Sequence, residues 1–199
     1  MTDSDPKTDL RRYLQAARDA LVWKLDGLSE YDMRRPMTPT GTNLLGLVKH
    51  MAGVELGHFG ATFGRKFPES IPWYDDMDDD PSADFWASED ESHDDIVGLY
   101  RRVWAFADET IESNPLDAIG VVPWWPPERR ETTLHRVLVH VIAEINRHAG
   151  HADIVREHID GAIGLRAGAS NLPELEADTR AEYREKLERV ARAAGSAQS

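Results

Sequence analysis

Apolar residues recur at intervals of three and four along four long stretches of the chain and a shorter fifth, and no stretch shows a convincing strand alternation. The first helix is predicted from about Pro6 to Leu28, with Leu10, Tyr13, Leu14, Ala17, Leu21 and Leu25 on one face. The second begins near Thr42, read as its N-cap, and runs through Leu44, Leu47, His50, Val54 and Ala61 to about Gly64. The third spans about Ser92 to Ser113 and stops before Pro115, where a helix cannot continue. The fourth starts at Thr132 or Thr133 and ends at Gly161, in the position of a left-handed C-cap. A last amphipathic helix covers about 173–193, and 195–199 is read as frayed. The expected fold class is therefore all-α: a four-helix bundle with an additional C-terminal helix, in one domain over 1–199 with its core in about 6–162.

Two connections depart from ordinary loops. Residues 65–90 form a long one with Pro68, Pro72, Pro81, the aromatics Trp73, Tyr74, Phe85 and Trp86, and an acidic run from Asp75 to Asp80. The acidic run is read as a solvated turn, because it lacks the glycine and closing glutamate of a calcium loop. The second connection carries Trp124 and Trp125. The second helix holds Gly46, Gly53, Gly57 and Gly60 within about 60° of one another on a helical wheel, a smooth strip where another backbone can approach.

The chain carries 36 acidic and 23 basic residues for a net charge of −13, which repels phosphate backbones and anionic lipid alike. It has no cysteine, so no disulfide, thiolate metal site or cysteine nucleophile enters its chemistry. The polar start and the lack of any apolar run near the roughly 20 residues of a membrane span predict a cytoplasmic protein.

Five of the eight histidines lie between His135 and His158. With Glu144 at 0° on the fourth helix, the apolar stripe falls at about 20° to 100°, His148 lies inside it at about 40°, and His151 and His140 lie just beyond its edge at about −20° and −40°. Glu144 and His148, four apart, can converge on one cation. His50 sits on an apolar face of the second helix and is the natural third ligand, which leaves a fourth position open for catalysis or ligand capture. Each residue also has a plainer reading: a core histidine held by hydrogen bonds, or a helical Glu–His surface pair. His151 and His140 are read as orienting or pocket-lining groups, or as flank histidines. His58 is about 12 Å from His50 by helix rise and cannot share its ion. With His93, His135 and His158 it is read as non-functional.

The stretches TNLLGLVKHMAGVELGHFG (42–60) and TLHRVLVHVIAEINRHAGHADIVREHIDG (133–161) resemble the DinB-like superfamily of four-helix-bundle metalloproteins, and most of all its mini-circle protein branch. Many members have three histidine ligands, with His where Glu144 stands. The His, Glu, His set is instead similar to that of mycothiol-dependent maleylpyruvate isomerase, a zinc-binding relative. The resemblance implies His50, Glu144 and His148 as ligands of one divalent ion, zinc, with nickel a substitute in purified protein. It also implies a low-molecular-weight thiol activated there, as in related thiol S-transferases, and used to transfer to, or isomerise, a small electrophile. His151 as a catalytic group, Arg147 as a partner for an anionic substrate, and Trp73, Trp124 and Trp125 as pocket walls complete this reading. The expected partners are that thiol and electrophile, with no nucleic acid or membrane and a homodimer left open. The rival readings are a zinc-water hydrolase using His151 and a non-catalytic metal-binding stress-response or interaction module.

Overall fold

The computed structural model describes residues 5–75, 80–170, 172–173 and 176–196. Most of the acidic run, 76–79, and the last three residues of the expected frayed end lie outside the described residues. The described chain divides into two compact units, 1–169 and 170–199.

The first unit is the bundle. Helix α1 (Pro6–Val22) starts on Asp5, whose carboxylate accepts from the backbone N–H groups of Lys7 and Thr8, with proline at the first turn where no N–H is needed. It ends six residues earlier than the period suggested, tightening into a single 3-10 turn, Trp23–Leu25. Tyr13 is 60% exposed, so it belongs to the flank and not to the core stripe. A short helix, α2 (Glu30–Arg34), fills what reads as loop, capped by Ser29.

Helix α3 (Leu44–Glu55) is capped by Asn43, one residue beyond Thr42, through a 2.7 Å bond from Gly46 N–H to Asn43 Oδ1. It then widens into a π turn, Leu56–Gly60, and closes through Ala61–Phe63 at Gly64, whose φ of +66° is left-handed. Short α4 (Pro72–Asp75) lies in the long connection. Helix α5 (His93–Ser113) begins with a reciprocal capping box between Ser92 and Asp95.

The connection to the last bundle helix holds two strands that the sequence pattern does not announce. Strands β1 (Ile119–Val121) and β2 (Glu131–Thr133) pair antiparallel with Ile119 opposite Thr133. Helix α6 (Leu134–Asp160) follows directly, capped by Thr133 and closed by left-handed Gly161. Helix α1 packs on α6, and α3 packs on both α5 and α6. The fully buried Leu21, Leu45, Met51, Val103, Ile111, Val141 and Ile145 knit these four together, each core side chain contributing about 1.5 to 3 kcal/mol. The fold is thus an all-α, DinB-like bundle.

The second unit contains α7 (Ala177–Ser196), with Tyr183, Leu187 and Val190 at helical spacing. Among the described residues no helix is long and apolar enough to cross a membrane.

Candidate active site

The site is built on the glycine strip of α3. At Gly46 a Cβ would lie 1.9 Å from the Phe85 carbonyl oxygen, so only glycine lets the backbone of the 3-10 turn Ala83–Phe85 rest on the first turn of the helix. Asn43 fastens that turn by donating from Nδ2 to the same carbonyl at 3.1 Å. The other strip positions receive aromatic rings: Trp73 and Tyr74 lie against Gly53, Trp124 against Gly57 and Phe106 against Gly60. The strip therefore admits a loop backbone at one end and side chains along the rest.

Two residues of the docked turn reach His50. The Phe85 ring stacks on the imidazole with centroids 4.1 Å apart, and Asp84 Oδ2 lies 2.7 Å from Nδ1. A carboxylate only accepts, so the Nδ1–H of His50 donates and Nε2 is the nitrogen left clear of Asp84. Asp84 is buried and orients a histidine in the way that carboxylates support metal-ligating imidazoles. Nothing in its own loop pattern singled it out.

The imidazoles of His50 and His148 meet edge to face with centroids 4.8 Å apart, across the α3–α6 contact. His148 Nδ1 is buried without a hydrogen-bond partner, and its Nε2 lies 3.7 Å from Glu144 Oε2, too far for a hydrogen bond. Burial, reinforced by the neighbouring His50, pushes its pKa down to about 4, so it is neutral at physiological pH with a lone pair to offer. Glu144 makes no hydrogen bond among the described residues, and its side chain is 36% exposed.

Among the described residues no three His, Asp or Glu side chains already stand together as a complete metal site. The donors nevertheless suit a divalent ion. His50 presents an oriented Nε2, His148 has a buried nitrogen without a partner, and Glu144 adds an uncommitted carboxylate one turn away. Imidazole nitrogen and carboxylate oxygen are among the donor types that zinc takes.

A cavity of about 390 Å³ adjoins this group, lined by His50, Gly53, Val54, Gly57, His58, Tyr74, Asp84 and Trp124. Of the three expected wall tryptophans, Trp124 lines it. Trp73 instead packs on Gly53 near Lys49, and Trp125 lines a separate recess with His140. His151 is exposed, sits edge-on to His148 at 5.6 Å and shares with it a second cavity, on the side of Thr42 and Asn43. Arg147 is exposed and lines neither cavity. His58 lines the main cavity beside His50, although it reads from sequence as a bystander.

Two imidazoles from facing bundle helices thus lie together, with a carboxylate one turn along α6. The chain belongs to the mycothiol-S-transferase family, whose model matches residues 9–161, from the first turn of α1 to the C-cap of α6. No curated protein matches it.

Proposed function

We propose that this protein is a metal-dependent S-transferase that joins a low-molecular-weight thiol, mycothiol, to a small electrophile at the His50–His148 pair. The convergence of these two imidazoles beside Glu144, in a chain of this family, carries the reading. His50, His148 and Glu144 would hold one divalent ion, zinc in this proposal. When bound, such an ion deprotonates a coordinated thiol at neutral pH.

The chain's own groups prepare that event. Asp84 fixes the His50 tautomer, burial keeps His148 unprotonated, and Glu144 brings negative charge that tempers the ion. The reaction is balanced simply. The thiol S–H gives up its proton, and the sulfur electron pair forms a bond to an electrophilic carbon. The displaced group departs with its bonding pair. His151, exposed and edge-on to His148, would carry the proton outward in this reading. Phe85 stacks on His50 at the reacting end.

The test is turnover of mycothiol with an aryl chloride by zinc-loaded and chelated protein. Product formed only with both thiol and metal is expected. Turnover without any thiol would select hydrolysis instead, and equal rates after chelation would remove the metal from the account.

A further inference from the structure

His58 stands on the π turn that ends α3, 5% exposed. Its Nδ1 lies 2.9 Å from the Val54 carbonyl oxygen. A carbonyl only accepts, so Nδ1–H donates and Nε2 carries the lone pair. That Nε2 is buried and has no partner, a rare and unfavourable state in a folded protein. His58 lines the same cavity as His50 and Asp84, about two helical turns or 12 Å from His50. Trp124 stands edge-on to it at 5.1 Å, a position that exists because Gly57 has no side chain: a Cβ there would lie 2.6 Å from the indole. His140 flanks it at 4.9 Å without hydrogen-bonding to it. Burial holds its pKa at about 4, so the ring offers an acceptor and no charge.

The chemistry of this end is therefore narrow. Among the described residues no Lys or Arg lines the cavity and Asp84 does, which disfavours a carboxylate or phosphate there. A hydroxyl or amide N–H satisfies the orphaned nitrogen, and an aromatic wall suits the apolar face of a saturated ring.

We propose that His58 is a ligand-recognition residue whose Nε2 accepts a hydrogen bond from a hydroxyl or amide N–H on the uncharged, ring-bearing part of the thiol, with Trp124 against that part's apolar face. This rests on the reading of the cavity as a thiol site and adds to it where the bulk of the thiol is gripped. The probe is S-methyl mycothiol, which retains the hydroxyl-bearing rings but has no thiol to activate. Calorimetric titration of the metal-loaded protein should show binding, weakened about 10-fold or more in His58→Phe and partly restored in His58→Gln, whose side chain can again accept, with metal content unchanged in both. In the parent, the imidazole ¹⁵N resonance of His58 Nε2 should shift on addition of the probe, a readout that does not depend on either variant folding. Absence of binding to the parent, equal affinity in His58→Phe, or a stationary Nε2 resonance would overturn the proposal. Failure of thiol activation is distinguishable: the probe would still bind through His58, while free mycothiol stayed protonated in the loaded site.

Discussion

The two sides of α3 bury polar groups in opposite ways. On one side Glu55, fully buried, receives Arg18 Nε at 3.1 Å, Arg18 Nη2 at 2.5 Å and the Tyr100 hydroxyl at 2.9 Å, while Arg18 continues to Asp108 and lies over the Trp104 ring. On the other side His148 Nδ1 and His58 Nε2 are buried with no partner, and Asp84 satisfies one oxygen on His50 and leaves the other alone. A polar pair whose hydrogen bonds are made, as Glu55 and Arg18 make theirs, is a structural joint. One whose valences are left open is shaped for something else to complete it.

The largest expected effect sharpens the first half of that contrast. Glu55→Ala removes the acceptor of Arg18 Nε and Nη2 and of the Tyr100 hydroxyl, leaving the buried guanidinium only Asp108 and Gln15, and should destabilise the protein by about 3 to 5 kcal/mol in urea unfolding. A loss below about 1 kcal/mol would show that the network is not the joint described.

Asp84→Asn probes the other half. It should leave stability nearly unchanged yet weaken metal binding by about 10- to 100-fold, because the His50 ring loses its carboxylate support. Unaltered affinity in a competition titration would mean that Asp84 does not orient a ligand.

How much of this was legible beforehand follows from the range of each signal. The bundle helices announce themselves by period and caps, since those are local, and His50, Glu144 and His148 could be paired because each lies on a periodic face. Asp84 is 34 residues from His50 in a connection without period, and contacts of Gly46, Asn43 and His50 with Phe85 join them only in the fold. The β1–β2 pair escaped because three residues are too few for an alternation to register. His58 was set aside by a sound distance argument applied to too narrow a question. It cannot share an ion with His50, but it can share a cavity.

A further expected effect is in pH. His58 and His148 hold folded pKa values of about 4 against an ordinary 6.5, so between these values the unfolded chain binds protons that the native state refuses. Stability of the chelated protein should be level above about pH 6.5 and fall as the pH drops from there towards about 4. The urea midpoint at pH 5 should lie below that at pH 7, with a smaller drop in His58→Phe. Equal drops in parent and variant would show that His58 is not held neutral by burial.

The central claim is that the open cluster on α3 and α6 holds one divalent ion, and metal content with competition affinity measures it directly. The parent should carry about one ion per chain, His50→Ala and His148→Ala should carry none while circular dichroism shows the helices intact, and Glu144→Gln should bind about 10-fold more weakly. Stoichiometric metal retained by both alanine variants would place the ion elsewhere and contradict the account.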